Sequence, residues 1–251
     1  MAIALSLLVA GAVGGVLGVT IQLVSSESRL RAETELEGAR TAFYSLLDSR
    51  AKSAAALARL VTELPIFRAH MMDTRLSDDR ATIAQMTDTY RLQLGAAFAV
   101  VTDNGGRWLA SPGWPSVGVP PQSLLDSIAS AGRGQAGRAI IDWAGELFLV
   151  VTLPARFAEE VLGTLAVGFN LDDGLAQELA RVAQCEVMLV SRGRVAATSL
   201  RARAHSDTGA LAAEASTADT GLLPDLRRVG QYQYVGGAFP LWPDSPALDV
   251  G

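Results

Sequence analysis

The sequence predicts an α+β protein in which a long N-terminal helix precedes two tandem modules of helix and antiparallel strand. Three observations lead to this prediction. A charge-free apolar run opens the chain, a stripe of apolar residues at near-heptad spacing follows it, and two similar hairpin patterns come later. The fold class therefore rests on hydrophobic periodicity and on an internal repeat.

The apolar run covers residues 2–24 and contains no Asp, Glu, Lys, Arg or His. A helix needs roughly 20 apolar residues to cross a bilayer, and it satisfies its own backbone hydrogen bonds there. A cleaved signal peptide has an apolar region of only about 7–15 residues behind a basic start, so the run favours an uncleaved anchor. Arg29 and Arg31 follow it beside Glu27 and Glu33, and by the positive-inside rule they weakly favour a cytoplasmic C-terminal side.

The stretch 28–63 has the periodicity of one long helix. Leu36, Phe43 and Leu57 fall at heptad positions, and Arg50 interrupts the series. Two interpretations stay open, a helix packed on its own domain and a dimer helix continuing out of the membrane. Two pairs of glycines four apart in the apolar run would let membrane helices approach closely, which favours the dimer.

Helix boundaries are predicted from capping residues. A second helix is expected to begin near Ser77 and to end at Gly95. A later helix is expected to be capped by Asn170, with Asp172 and Asp173 in its first turn.

Residues 100–111 and 188–199 share one pattern. Each has an apolar strand, a polar turn with Gly, an Arg, a second apolar strand and a small hydroxyl residue, and each follows a helix. Duplication explains the shared order, and the alternative is that any two hairpins look alike. Three more strands are predicted after the first hairpin, with a turn at 143–145 and an alternating strand at 161–170.

Composition excludes several classes of function. The formal net charge of -5 argues against nucleic acid as a partner. Cys185 is the only cysteine, so neither an intrachain disulfide nor a thiolate metal cluster is predicted. His70 and His205 have no second ligand at metal-binding spacing. There is also no G-x-S-x-G elbow or P-loop, and the sequence predicts no metal, no cofactor and no catalytic residue.

The stretches FAVVTDNGGRWLASPG, ELFLVVTLPAR and VLGTLAVGFNLDDGLAQELARVAQCEVMLVSRGRVAATSL resemble double Cache sensory domains of bacterial two-component sensor kinases and cyclases. The resemblance covers roughly residues 28–243. It implies a PAS-like antiparallel sheet in each module and a small-molecule ligand in the membrane-distal module. It also implies a non-catalytic sensory region outside the cytoplasm, held in the bacterial inner membrane with the N-terminus inside.

Members of that family continue into a second membrane helix and an output domain such as a histidine kinase or a nucleotide cyclase. This chain ends at Gly251 without them, and we expect it to be a fragment of a receptor. The predicted division is a transmembrane anchor at 2–24, a long signalling or dimer helix at 25–64, a membrane-distal module at 65–170, a connecting helix at 171–183, and a smaller, truncated membrane-proximal module at 184–251.

Six residues beside the predicted sheet of the first module are ligand-binding candidates: Tyr90, Arg91, Trp108, Ser111, Asp142 and Trp143. Arg91 can hold a carboxylate through two hydrogen bonds, and Trp108 can stack on a ligand or a cation. The alternative is that the aromatic residues belong to the core and the charged ones to solvent.

The predicted partners are a small molecule of unassigned class, the membrane and a second copy of the chain. The alternative function is a membrane-tethered dimerisation or interaction module without a ligand.

Overall fold

A computed structural model describes residues 34, 36–72, 79–115, 118–200, 221–222, 227–229, 232–234 and 237–241. The predicted anchor at 2–24 lies outside these residues. Residues 25–33 of the predicted long helix also lie outside them. Within the described part of the chain, no helix has both the length and the apolar character needed to span a membrane.

The chain is α+β, and a long helix, α1, occupies residues 36–63, which confirms the predicted helix in its described part. A short helix, α2 (Pro65–Met72), follows directly. Proline suits the first turn of a helix because its missing N–H has no partner there in any case. Leu64 therefore marks the break between the two helices.

The buried face of α1 is made largely of alanine. Ala51, Ala55 and Ala58 are fully buried, and these small side chains allow the helix backbone to approach the sheet closely. Phe43 of the predicted stripe is buried, whereas Leu57 of the stripe and the nearby Leu60 are 48% and 62% exposed. The stripe therefore coincides with the packed face only in part, because alanines supply much of the side of α1 that meets the sheet.

The first module contains a five-stranded antiparallel sheet with strand order β2-β1-β5-β4-β3. Its elements are α3 (Arg80–Leu94), β1 (Phe98–Asp103), β2 (Trp108–Ala110), α4 (Gln122–Gly132), β3 (Gly137–Trp143), β4 (Glu146–Phe157) and β5 (Glu160–Asn170).

Both faces of this sheet are covered by helices. Alternate side chains of each strand point to opposite faces. On one face Val101, Val151 and Val167 pack with α1, α2 and α3. On the other face Val100 and Val150 pack with α4. The same alternation continues along β1, β4 and β5, so the module has three layers with the sheet in the middle.

Two helices begin at caps other than those predicted. The N-cap of α3 is Asp79, whose carboxylate accepts a hydrogen bond from the Thr82 amide at 3.2 Å, while Ser77 lies outside the described residues. Helix α3 ends at Gly95 in the left-handed conformation with φ 65°, as predicted. Asn170 is the last residue of β5 and does not cap the following helix.

The second module begins with α5 (Asp173–Ala183), whose N-cap is Asp172. The predicted hairpin follows as β6 (Met188–Ser191) and β7 (Arg194–Thr198). The remaining described strands are β8 (Gly221–Leu222), β9 (Arg227–Val229), β10 (Tyr232–Tyr234) and β11 (Gly237–Ala238). In the described part of this module the strands form three antiparallel pairs, β6-β7, β9-β10 and β8-β11.

Helix α1 contacts both modules. Phe43 packs edge-on against Phe239, with ring centroids 5.5 Å apart, and the Tyr44 hydroxyl donates to the Pro240 carbonyl at 2.7 Å. Further along, Asp48 pairs with Arg138 of β3. One continuous helix therefore ties the end of the second module to the first sheet.

The Asp48 carboxylate also pairs with Lys52 on its own helix at 3.0 Å. Hydrogen bonds from Arg138 and then from Lys52 hold the pKa of the Asp48 carboxyl below its ordinary value. The carboxylate is therefore charged at neutral pH, and it joins α1 to the edge strand β3.

Candidate functional site

A tight turn follows β2 and carries the loop onto the face of the sheet that packs with α4. The Trp114 amide donates to the Ser111 carbonyl at 3.2 Å, with Pro112 and Gly113 at the two central positions. Gly113 has φ 74°, as a type II turn requires at its third residue. A side chain at Gly113 would also meet the Ala97 carbonyl oxygen at 2.2 Å. The turn therefore depends on glycine, and it fixes where Trp114 lies.

Three tryptophans meet on this face and form what we call the tryptophan cluster: Trp108, Trp114 and Trp143. The ring centroid of Trp114 lies 5.6 Å from that of Trp108 and 5.1 Å from that of Trp143. All three residues are half-buried. Such rings present apolar faces and indole N–H donors together, which suits a binding surface.

The cluster rests on buried phenylalanines. The Trp114 ring stands edge-on to Phe98 at 4.8 Å, and Phe98 in turn lies 5.3 Å from Phe148. Space for the Phe98 ring is provided by Gly168 of the neighbouring strand, where a Cβ would lie 2.2 Å from two ring carbons. The position of Trp114 is thus supported from below by the core.

Tyr90 and Arg91 lie apart from the tryptophan cluster. Tyr90 packs with the core on the α1 face of the sheet. The Arg91 guanidinium donates to Asp88 at 2.7 Å and to the carbonyls of Ala96 and Ala97 at 3.1 and 3.3 Å. Arg91 therefore holds the end of α3 to the start of β1, and its stem lies against the turn at Gly113.

Asp142 contacts the second module. Its carboxylate accepts a hydrogen bond from the Ser191 hydroxyl at 2.6 Å and lies 3.4 Å from the Arg192 Nε. It also accepts a hydrogen bond from the Gly145 amide at 3.3 Å, within the predicted turn after β3. Asp142 and Trp143 are adjacent in β3 and so point to opposite faces of the sheet.

Of the six predicted residues, the structure brings Trp108 and Trp143 together, with Ser111 in the adjoining turn. It places Tyr90, Arg91 and Asp142 elsewhere. Trp114, which joins the two predicted tryptophans, is not among the six. The Pro-Gly pair before it is the signal that could have identified it, because a type II turn reverses the chain onto the preceding strand.

Among the described residues, no group of three or more His, Cys, Asp or Glu is placed to hold a metal ion. The chemistry available at the tryptophan cluster is stacking, apolar contact and hydrogen-bond donation from indole nitrogens.

Comparison with known sequences identifies the family. A family model described as the double sensory domain of two-component sensor kinase matches residues 29–240. The chain belongs to this double Cache family of extracytoplasmic sensory domains. No curated protein matches the chain significantly.

Several solved sensor and receptor domains are similar to the chain. The E. coli DcuS sensor domain is 23% identical, with a TM-score of 0.39 over 55% of this chain and 96% of that one. The periplasmic domain of Vibrio cholerae LuxQ is 14% identical, with a TM-score of 0.47 over 66% and 79% of the two chains. The ligand-binding domain of the Campylobacter jejuni chemoreceptor Tlp3, in complex with L-valine, is 12% identical, with a TM-score of 0.44 over 84% and 88%.

Proposed function

We propose that this double Cache domain is the ligand-sensing part of a membrane-anchored bacterial receptor and that its ligand binds at the tryptophan cluster. The observation that carries the proposal is the meeting of Trp108, Trp114 and Trp143, all half-buried, on one face of the first sheet. Family membership supplies the sensory role.

The chemistry of the cluster favours a small ligand with an apolar or cationic group. Tryptophan binds cations over its ring face more strongly than tyrosine or phenylalanine does. The indole N–H groups and the Ser111 hydroxyl can donate hydrogen bonds to a polar end of the same molecule. Arg91 supports the turn in this proposal, since its Nε and Nη1 groups donate to Asp88 and to two carbonyls.

Tryptophan fluorescence gives a direct test. The chain has four tryptophans, and Trp242→Phe leaves only those of the cluster. In that background, amines, amino acids and organic acids are screened against the full chain in mild detergent by emission and by thermal shift. A ligand that binds the folded state raises Tm by mass action. We expect at least one compound to change both signals in a saturable manner.

Variants then locate the site. Trp108→Ala and Trp143→Ala should weaken the binding of that compound about tenfold or more, since each removes about 1–3 kcal/mol of stacking or cation–π contact. Tyr90→Phe, on the opposite face of the sheet, is the matched control and should bind as wild type does. Equal affinity in all three variants would show that the ligand binds elsewhere, and a screen without any hit would remove the proposal.

We also propose that the domain forms a homodimer through α1. Leu57 and Leu60 lie one turn apart on its solvent-facing side, 48% and 62% exposed. Leu57→Glu combined with Leu60→Glu should convert a dimer of the full chain to a monomer in light scattering, because the charges oppose each other across the contact. Leu92→Glu, at a 62% exposed leucine of α3, is the control and should leave the mass unchanged.

A further inference from the structure

Two hairpin turns, one from each module, meet beside the tryptophan cluster. The first tip, residues 142–146, joins β3 to β4, and the second tip, residues 191–194, joins β6 to β7. The first tip carries Trp143 of the cluster as the last residue of β3. The contact between the two tips therefore lies next to the ligand site under the proposed function.

Three side chains of the second tip contact the first tip. The Ser191 hydroxyl donates to the Asp142 carboxylate at 2.6 Å, and Arg192 Nε lies 3.4 Å from the same carboxylate. The Arg194 guanidinium lies over Gly145, where a Cβ would be 3.0 Å from its Nη2 atom. The second tip thus covers the first tip both at its strand end and at its turn.

The hydrogen bond between Asp142 and Ser191 is the strongest of these contacts. The Asp142 side chain is only 12% exposed, whereas that of Arg192 is 77% exposed. An ion pair with so exposed a partner contributes little, because water screens it. A hydrogen bond to a largely buried carboxylate contributes more, since its loss leaves the charge without that donor. Ser191 is therefore the residue whose removal should disturb the contact most.

The backbone of the first tip is strained. Its two central residues, Ala144 and Gly145, have φ values of 55° and 89°, the pattern of a type I′ hairpin turn. Glycine adopts positive φ freely, but in alanine the Cβ makes this conformation unfavourable. A strained residue keeps such a conformation only where its surroundings hold it. The contacts from the second tip stabilise this turn.

Trp143 lies directly between the contact and the strained turn, with Asp142 before it and Ala144 after it. Its ring centroid is 5.1 Å from that of Trp114, and a Cβ at Gly118 would lie 3.0 Å from its Cη2 atom. The Trp143 ring is therefore packed against the cluster on one face of the sheet, while Asp142 binds the second tip on the other. A change in the turn would move this ring without any change in the rest of the sheet.

We infer that the second tip positions Trp143 within the tryptophan cluster, so that Asp142 and Ser191 are positioning residues for a ligand bound in the first module. The inference rests on the proposed function, because it concerns the ligand site proposed there. Ser191 acts through Asp142 and the strained turn, and not by contact with the ligand. The affinity of the first module for its ligand therefore depends on a residue of the second.

Tryptophan emission tests the positioning of Trp143 without a ligand. In the full chain carrying Trp242→Phe, in mild detergent, Ser191→Ala should shift the emission maximum to longer wavelength, because a looser turn exposes the Trp143 indole to water. The same substitution in a protein that also carries Trp143→Phe should leave the emission unchanged. No shift in the first protein, or an equal shift in the second, would overturn the inference.

Ser199→Ala is the matched control. Ser199 lies just beyond the other end of the same hairpin, where its hydroxyl bonds with Glu186 and with the Val187 amide of its own module. The control removes a serine hydroxyl from the second module but not from the tip contact, so it should leave the emission unchanged. Ser191→Thr keeps the donor and should behave as wild type does. An equal shift in Ser199→Ala would show a general loosening of the second module and refute the positioning role.

A second variant tests the role of the strained turn. Ala144→Asn gives the turn the Asn-Gly pair that type I′ turns favour, so the turn should then hold its conformation with less help from the second tip. In this background Ser191→Ala should shift the emission less. An undiminished shift would contradict the inference.

Ligand affinity completes the test and separates the inference from the proposed function. For a compound that binds the tryptophan cluster, Ser191→Ala should raise Kd about fivefold or more, and Ser199→Ala should not change it. An unchanged Kd in Ser191→Ala would overturn the inference while the proposed function stands. A screen without any hit would remove the proposed function, and the emission shifts would still decide whether the second tip positions Trp143.

Discussion

Gly168 of β5 offers the sharpest test of how the core positions the tryptophan cluster. In Gly168→Ala the new Cβ would lie 2.2 Å from the Cε1 and Cζ atoms of Phe98. Carbon atoms in contact prefer separations of about 3.5–4.0 Å, so one of the two groups must move by roughly 1.3 Å. Phe98 is only 1% exposed and has Trp114 and Phe148 against it, so no open space receives its ring.

The expected cost follows from overpacking. Extra methyl groups in a full core cost about 1–3 kcal/mol, and replacing glycine by alanine in a strand returns about 0.5–1 kcal/mol of backbone entropy. The net loss of unfolding free energy is thus about 1–2 kcal/mol. For a domain of this size that lowers Tm by about 2–8 °C. The emission of the Trp242→Phe background should shift as well, because Trp114 packs on the displaced ring.

Gly132→Ala is the matched control. Gly132 is the last residue of α4, and a Cβ there would meet nothing within 4 Å. Alanine is the better helix former, so this variant should gain up to about 1 kcal/mol without a change in emission. If Gly168→Ala were as stable as wild type and its emission unaltered, the proposed support of Trp114 by Phe98 would be wrong.

Three further predictions concern single contacts. Arg138 lowers the pKa of Asp48, so the stability from this pair is present above the ordinary value of 3.8 and is lost as pH falls below it. In urea titrations Asp48→Asn should be less stable than wild type at pH 7, and the difference should shrink as pH falls below 3.8. Asp142→Asn and Ser191→Ala should show a coupling of about 0.5–3 kcal/mol in a double-mutant cycle, and additive losses would contradict the contact between modules. The buried Thr87 Oγ1 has no hydrogen-bond partner among the described residues. Thr87→Val should therefore raise Tm, by an amount that corresponds to about 1 kcal/mol of unfolding free energy. A lower Tm would show that the hydroxyl has a hydrogen-bond partner.

Much of the first module could be predicted from local sequence because its signals are local. Gly95 ends α3, the turn at 143–145 joins β3 to β4, and the hairpin at 100–111 forms as its turn residues indicate. Side chains that alternate along each strand lie on opposite faces of the sheet, and both faces are buried. Turn chemistry and strand period act over a few residues, so neither depends on the rest of the fold.

The features that could not be predicted from nearby residues depend on distant parts of the chain. The heptad stripe predicted the packed face of α1 only in part, because Leu57 is exposed and Ala51, Ala55 and Ala58 are buried in the core. The ligand contact of Asp142 stays a prediction, and its hydrogen bond with Ser191 of the other module could not be predicted from nearby residues. Trp114 was missed because the loop that carries it has no periodicity, and only the turn before it determines where it lies.

Helix α1 has a consequence for how the domain unfolds. At about 1.5 Å per residue, its described residues 36–63 extend for roughly 42 Å. Its first turns pack on Phe239 and its last turns on the first sheet, and neither module keeps its full core without it. The two modules therefore share one structural element. They should melt in a single cooperative transition, although the shared pattern of their sequences indicates a tandem repeat. A break in its first turns removes packing from the second module, and a break in its last turns removes packing from the first sheet.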